Sequence, residues 1–217
     1  MIERTIATGT HGRYLIEPPA AAGPAPLLVG FHGYGEGAVA QLERLRRIPG
    51  VARWRLLSIQ GLHRFYQRRE NQVVASWMTR QDRELAIADN LAYVAAVIDA
   101  VSHEFPGAPR LVLSGFSQGV AMTFRAAAAL TRAPDAVIAV GGDVPPELDA
   151  AAVKRAGCIL VCHGSRDEWY TQAIFERDVT RLRDAGVSVQ PVEFDGGHEW
   201  SDAVVQAAGL FLREQWP

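Results

Sequence analysis

Residues 111–120 have the sequence Leu-Val-Leu-Ser-Gly-Phe-Ser-Gln-Gly-Val, in which one glycine lies two positions before Ser117 and another two positions after it. A short apolar run precedes this serine, and the alanine-rich run 121–131 follows it. Strand, sharp turn and helix form the context in which G-x-S-x-G makes a nucleophile elbow. We expect a strained backbone at Ser117, with Gly115 and Gly119 leaving room where the strand and the helix approach each other.

The composition is that of an ordinary globular protein and excludes several kinds of partner. The 217 residues suffice for a sizeable core, and we expect a single domain over 1–217. A net charge of −2 gives no electrostatic basis for binding nucleic acid or an anionic membrane. No apolar run has the length of a membrane span and the N-terminus lacks the pattern of a signal peptide, so we expect a cytoplasmic protein.

The two cysteines, Cys158 and Cys162, lie in one predicted strand. An extended chain would hold them about 13 Å apart, which is too far for a disulfide. Two thiols at this spacing are also a poor metal site. We therefore expect reduced thiols and no metal or organic cofactor.

Strands alternate with helices along the chain, which predicts an α/β fold with a mostly parallel sheet. Residues 61–80 show no clear periodicity and are predicted to be a long functional loop. Besides the strand before Ser117 and the helix after it, the predicted strands are 2–7, 13–17, 27–31, 54–59, 136–140, 158–162 and 187–194, and the predicted helices are 38–48, 82–103, 171–185 and 201–215.

Five polar side chains come just after predicted strands, namely His32, Ser117, Asp143, Asp167 and His198. Open parallel sheets collect their active sites at the carboxyl ends of the strands. Nucleophilic hydrolysis by a serine needs a base to take its proton and an acid to orient that base. The chain order Ser117, Asp167, His198 is the order expected of an α/β-hydrolase.

Two other aspartates compete with Asp167 for the role of the acid. Asp143 follows an earlier strand, and Asp195 lies three residues before His198. Asp167 also has a simpler interpretation as the N-cap of the helix predicted over 171–185. We favour Asp167 as the acid because it follows the strand just before the one that leads to His198.

Taken together, these segments resemble the phospholipase/carboxylesterase family of α/β-hydrolases, the small lidless serine esterases that include acyl-protein thioesterases. The resemblance implies an α/β-hydrolase fold with a mostly parallel central sheet, helices on both faces and no cap domain. Residues 115–119 are similar to the family's nucleophile segment, 31–35 to its oxyanion loop, 163–167 to its acid segment, 197–198 to its histidine, and 76–82 to a tryptophan segment beside the site.

The resemblance implies a serine hydrolase that cleaves small carboxylic esters or thioesters through an acyl-enzyme on Ser117, as a monomer or homodimer. It places the oxyanion on the backbone N–H groups of Tyr34 and Gln118, although Gly33 or Gly35 could replace Tyr34. Alternatives are a dienelactone-hydrolase-like or peptidase-type enzyme on the same fold, or a non-catalytic binding protein on this scaffold. The dienelactone type usually has a cysteine nucleophile, and no triad member is evidently missing.

Several residues are candidates to contact the substrate. Trp77, Met78, Phe116 and Trp169 could line an acyl pocket. The chain departs from the family at Val120, where the family often has a second glycine. It also has Trp-Met-Thr at 77–79 in place of Trp-Phe-Asp. The arginines at 64, 68 and 69 are candidates to meet an anionic leaving group.

Overall fold

The computed structural model describes residues 1–67 and 71–216. Seven strands form one sheet in the order β1-β3-β2-β6-β7-β8-β9, in which only β1 is antiparallel to its neighbour. The mostly parallel sheet predicted from the sequence is therefore confirmed. The strands are β1 Arg13–Glu17, β2 Leu27–Phe31, β3 Arg55–Gln60, β4 His63–Gln67, β5 Gln72–Ser76, β6 Leu111–Phe116, β7 Ala136–Val140, β8 Cys158–Gly164 and β9 Val189–Phe194.

Helices cover both faces of this sheet, as expected. Alternate side chains of each central strand point to opposite faces, so Leu113 belongs to one core and Val112 to the other. The first core packs against α2, α3, α4 and α5, and the second against α1 and α6. The helices are α1 Ala38–Arg46, α2 Arg83–Glu104, α3 Gln118–Ala129, α4 Ala150–Lys154, α5 Gln172–Asp184 and α6 Asp202–Gln215.

Two predictions about local structure are wrong. Residues 2–7, predicted as a strand, have no regular secondary structure and are exposed throughout, so no apolar face draws them onto the sheet. Residues 61–80, predicted as a loop, contain the antiparallel hairpin of β4 and β5, which forms a separate two-stranded sheet. Every residue of β4 is exposed, which explains why its sequence lacks the apolar alternation by which strands are recognised.

Among the described helices, α2 is the one with the length and apolar composition needed to cross a membrane. One side of it is buried within the fold, with Asn90, Val94 and Val97 among its buried residues. Asp89 and Asp99 interrupt its apolar sequence. These features are those of a core helix, and no membrane span is clearly indicated.

Candidate active site

The turn between β6 and α3 holds Ser117 in a conformation that L-residues rarely adopt, with φ 53° and ψ −122°. A Cβ atom on Gly115 would lie 2.4 Å from the Thr123 hydroxyl, and one on Gly119 would lie 2.2 Å from the Phe31 carbonyl oxygen. Real contacts of this length do not occur, so only glycine lets the helix approach the strands here. The strained serine and the crowded glycines predicted from the sequence are both present.

Ser117 is the first member of a continuous series of hydrogen bonds. Its Oγ lies 2.8 Å from Nε2 of His198, and Nδ1 of His198 lies 2.8 Å from Oδ2 of Asp167. The other oxygen of Asp167 accepts the backbone N–H groups of Trp169 and Tyr170 at 2.8 and 2.9 Å. An ionised carboxylate can only accept, so the imidazole proton lies on Nδ1 and Nε2 is left to accept from the serine hydroxyl.

The structure separates the three aspartates that competed for the acid. Asp167 is buried and contacts the histidine, whereas the side chain of Asp195 is 86% exposed and pairs with Arg166. Asp143 lines the cavity beside Ser117 but forms no hydrogen bond with any residue in 1–67 or 71–216. The N-cap of α5 is Thr171, so the simpler interpretation of Asp167 as the cap of this helix is wrong.

The backbone N–H groups of residues 33–35 do not have equal access to a substrate. Gly33 donates to Oε2 of Glu36 at 2.8 Å, and Gly35 donates to the carbonyl of Ala75 at 3.0 Å. Within the part of the chain that the structure describes, the N–H of Tyr34 has no acceptor. Tyr34, rather than either glycine, therefore supplies the unoccupied donor of this loop.

Gln118 lies at the first position of α3, where helix N–H groups lack an intrahelical partner. Its own N–H has no acceptor among the described residues. Its side chain accepts the Trp77 N–H at 2.8 Å and donates to the Met78 carbonyl at 2.9 Å. This amide therefore ties the segment after β5 to the elbow, a role that nothing in the sequence pattern indicated.

His32 supports the loop of residues 33–35 and lies outside the series of hydrogen bonds from Ser117 to Asp167. Its Nδ1 lies 2.7 Å from the Gly33 carbonyl, and its Nε2 accepts the Gly61 N–H at 2.9 Å. Only the neutral ring satisfies both partners, and burial lowers the pKa of His32 below its usual value. Trp77 stacks on this ring at 5.1 Å and donates its indole N–H to the His32 carbonyl at 2.8 Å.

An ion pair missed by the sequence analysis holds the other side of this loop. Both carboxylate oxygens of Glu36 accept from Arg44 at 2.6 Å, and one of them also accepts the Gly33 N–H. Burial alone would raise the pKa of Glu36, but Arg44 and the Gly33 N–H bring it below its usual value. The guanidinium of Arg44 in turn lies 4.2 Å from the ring centre of Phe116.

A cavity of about 240 Å³ opens beside Ser117. Of the four predicted pocket residues, Trp169 lines it, while Trp77, Met78 and Phe116 are buried and do not. Phe116 instead packs against the ring of His198 at 5.1 Å. The lining residues are Ser117, Gln118, Gly141, Gly142, Asp143, Trp169, Tyr170, Ile174 and His198.

The remaining predicted residues that the structure describes do not line this cavity. Arg64 is exposed and donates to the His11 carbonyl at 3.2 Å, while the arginines at 68 and 69 lie outside the described residues. Cys158 and Cys162 are free thiols, and burial raises the pKa of Cys162 to about 12. No group of His, Cys, Asp and Glu side chains within 1–67 and 71–216 has the composition of a metal site.

Comparison with known proteins gives one family and one fold. The Phospholipase/Carboxylesterase family profile matches residues 15–215. The fold resembles esterase PE8, with a TM-score of 0.73 and 21% identity over 94% of this chain and 99% of that chain. It also resembles Zea mays acyl-protein thioesterase 2, with a TM-score of 0.73 and 18% identity over 94% and 99%, and the Bacillus cereus carboxylesterase, with 0.75 and 16% over 94% and 95%. At these identities the structures establish the shared fold alone. No curated protein sequence matches the chain significantly.

Proposed function

The chain belongs to the phospholipase/carboxylesterase family of α/β-hydrolases, and from that premise we propose that it cleaves carboxylic esters through an acyl-enzyme on Ser117. It is a hydrolase of the esterase and thioesterase type. The observation that carries the proposal is the series of hydrogen bonds from Ser117 through His198 to Asp167, with 2.8 Å at both steps.

In the first half of the reaction, Ser117 attacks the acyl carbonyl while Nε2 of His198 takes its proton. Asp167 keeps the other ring proton on Nδ1 and stabilises the imidazolium that forms. Because Asp167 is itself held by two backbone N–H groups, the imidazole is already oriented before the substrate arrives. His198 then gives its proton to the departing alcohol or thiol.

The negative charge on the tetrahedral intermediate needs donors that are not otherwise engaged. We assign this role to the N–H groups of Tyr34 and Gln118, which have no acceptor among the described residues. The N-terminal end of α3 adds its positive dipole at the same place. Removing one such donor typically lowers kcat by about 10²–10³-fold. Glu36 and His32 both bind the backbone of Gly33, so they help to hold the N–H group of Tyr34 in place for this role.

Deacylation repeats these steps with water in place of the alcohol. His198 takes a proton from the water as the water attacks the acyl carbonyl, and it then returns that proton to Oγ of Ser117 as the acyl–Ser117 bond breaks, so that the acid leaves and the serine is restored. These steps use only side-chain and backbone groups of the protein. We also propose a single domain over residues 1–217, acting in the cytoplasm as a monomer or homodimer.

The decisive test is covalent labelling. A fluorophosphonate probe should label the wild-type protein at Ser117, as located by peptide mass spectrometry, and Ser117→Ala should remain unlabelled while retaining its melting temperature. Hydrolysis of p-nitrophenyl acetate should disappear in the same variant. A folded wild-type protein that neither reacts with the probe nor turns over any ester would overturn the proposal and favour a non-catalytic binding protein.

The ester and thioester alternatives are separated by a second measurement. A series of p-nitrophenyl esters and acyl-CoA thioesters of matched chain length should give higher kcat/KM for the esters if the chain is mainly a carboxylesterase. The opposite order would assign it to the thioesterases. Cleavage of a peptide or of a dienelactone with comparable kcat/KM would favour the related enzyme types on this fold.

A further inference from the structure

We propose that the cavity beside Ser117 binds a cationic group of the substrate between Asp143 and Trp169, so that the enzyme prefers esters bearing an ammonium group. This inference rests on the proposed function, because it names the substrate class of the same site. It is carried by an unpaired carboxylate and an exposed indole that line one small cavity.

The first observation is the state of Asp143. It follows β7, is exposed, and is the only lining residue with a formal charge besides the ionisable His198. It forms no ion pair with any residue in the two described ranges, 1–67 and 71–216. A carboxylate that lines the same cavity as Ser117 and His198, and that has no partner among the described residues, contributes a negative potential there, which attracts a cation and repels an anion.

The two arginines on which the charge of Asp143 acts have other carboxylates as their direct partners. Arg177 lies 2.9 Å from the buried carboxylate of Asp178 and Arg125 lies 2.6 Å from Glu147, so each already has a counter-charge. The charge of Asp143 also affects Tyr170, which lines the same cavity. The pKa of Tyr170 is raised, mainly by burial and further by the negative charges of Asp178 and Asp143. Among the residues that line the cavity, the one fixed formal charge is the negative charge of Asp143.

The second observation is the indole of Trp169. It is 81% exposed, although burying a large aromatic side chain is ordinarily favourable. Its backbone N–H donates to Asp167 at 2.8 Å, which fixes the residue relative to the triad. Tryptophan is the side chain that binds cations best through its ring, and quaternary ammonium groups are typical ligands of such sites.

The size and the polarity of the cavity further limit which cation could bind there. The cavity volume of about 240 Å³ suits a group the size of an alkylammonium, and Ile174 and Tyr170 add apolar surface for its methyl groups. A metal cation would need several oxygen ligands, whereas Asp143 is the only carboxylate in the lining. An alkylammonium uses the carboxylate, the indole and the apolar surface together.

The ammonium could belong to either half of the ester, and two matched substrate pairs distinguish the sources. Acetylthiocholine against 3,3-dimethylbutyl thioacetate places the charge in the leaving group. The p-nitrophenyl esters of 4-(trimethylammonio)butanoic acid and of 5,5-dimethylhexanoic acid place it in the acyl group. Within each pair the two members have the same shape and differ only in charge, so the ratio of their kcat/KM values isolates the electrostatic contribution.

We expect the cationic member of at least one pair to be preferred by about tenfold or more at low ionic strength, as one well-placed charge pair allows. Asp143→Asn should remove most of this preference, and Trp169→Leu should reduce it about threefold. Asp195→Asn removes a charge near His198 but outside the cavity, and it should leave the ratio unchanged. Added salt should weaken the preference in the wild type only.

The outcomes separate this inference from the function on which it rests. Equal kcat/KM within both pairs, or a preference that persists in Asp143→Asn, would overturn the inference when the neutral esters are hydrolysed and Ser117 is labelled. A melting temperature of Asp143→Asn equal to that of the wild type would show that the variant is folded, so that a lost preference reports on the missing charge. Failure of the wild type to hydrolyse any ester or to be labelled would overturn both.

Discussion

The two sides of the catalytic cleft are held in different ways. On one side, which we call the elbow region, Gly115–Gly119 span the end of β6 and the start of α3, and every residue of β6 is buried between neighbouring strands. On the other side, the β4–β5 hairpin forms its own two-stranded sheet, and β4 is exposed over its whole length. Among the described residues, the hairpin contacts the loop of residues 33–36 through the bridge from Ala75 to Glu36 and through the Tyr34–Phe65 ring contact at 5.6 Å.

From this difference we expect the two regions to divide chemistry from recognition. Bond-making requires groups placed to within a fraction of an ångström, and the elbow region obtains this precision from strand ends in a close-packed sheet. The hairpin carries exposed aromatic side chains, Phe65 and Tyr66, beside the loop of Tyr34. We expect substitutions in the elbow region to change rate and stability strongly and those in the hairpin to change mainly which substrate is accepted.

The largest expected effect concerns the acid. In Asp167→Asn, the amide oxygen can still accept the N–H groups of Trp169 and Tyr170, which turns the amide nitrogen toward His198. That nitrogen donates, so the imidazole proton must move to Nε2, where it faces Ser117 and blocks proton transfer. We expect kcat for p-nitrophenyl acetate to fall by about 10⁴-fold.

The matched control is Asp195→Asn, which removes a surface carboxylate three residues from His198. It should change kcat by less than about twofold, because exposed charges contribute little. A larger loss in Asp195→Asn than in Asp167→Asn would reassign the acid and remove the basis for calling the elbow region the catalytic side.

The second effect tests how tightly the elbow region is packed. A methyl group on Gly119 would lie 2.2 Å from the Phe31 carbonyl and 2.6 Å from that of His32, and neither backbone atom can move aside cheaply. Gly119→Ala should lower the free energy of unfolding by about 3 kcal/mol or more, measured by urea denaturation. Gly9→Ala is the control, since nothing lies within 4 Å of its added methyl, and its effect should stay below about 0.5 kcal/mol.

The same contrast explains what could be predicted from the sequence. G-x-S-x-G encodes its own backbone geometry, and apolar runs such as 27–31 and 111–113 reveal strands that are buried on both faces, so the elbow and the sheet could be anticipated. The hairpin could not, because every residue of β4 is exposed and β5 is buried only in its last three residues, so neither strand shows an apolar alternation. Strand order favoured Asp167 over Asp143, but the 2.8 Å contact between Asp167 and His198 could not be read from the sequence, because it depends on how separate strands align.

Contacts between polar groups could not be predicted from the sequence either. The pairing of Glu36 with Arg44 links a loop to a helix eight residues later and follows no helical or strand repeat. The choice of Tyr34 over its glycine neighbours required a count of which N–H groups already had acceptors. Which N–H groups are already hydrogen-bonded depends on the folded backbone, whereas a sequence motif records only the residue types.

The third effect is the pH dependence of the stability that the Glu36–Arg44 ion pair provides. Glu36 lies where the two sides meet, because its backbone pairs with Ala75 of the hairpin. Because the folded-state pKa of Glu36 is below its usual 4.5, its ion pair stabilises the fold above pH 4.5, and that stabilisation is lost as pH falls through the lowered pKa. Glu36→Gln should therefore lower the free energy of unfolding by about 1–3 kcal/mol at pH 7, and the difference from wild type should shrink toward pH 3. Glu43→Gln, which affects an exposed pair with Arg46, should show less than about 0.5 kcal/mol at either pH. A Glu36 effect independent of pH would exclude the ion pair as its cause.

The smallest effect compares one substitution in both regions. Val120 in α3 is fully buried and contacts the elbow, whereas Val73 in β5 is 53% exposed opposite Tyr66. Val120→Ala should lower the free energy of unfolding by about 2 kcal/mol, because it leaves a cavity in a close-packed core. Val73→Ala should lower it by less than about 0.5 kcal/mol.

If recognition resides in the hairpin, Val73→Ala should nevertheless change the ratio of kcat/KM between long-chain and short-chain p-nitrophenyl esters, with kcat for the acetate unchanged. Equal destabilisation by the two substitutions would mean that the hairpin is as firmly packed as the elbow, and the division between chemistry and recognition would then have no structural basis.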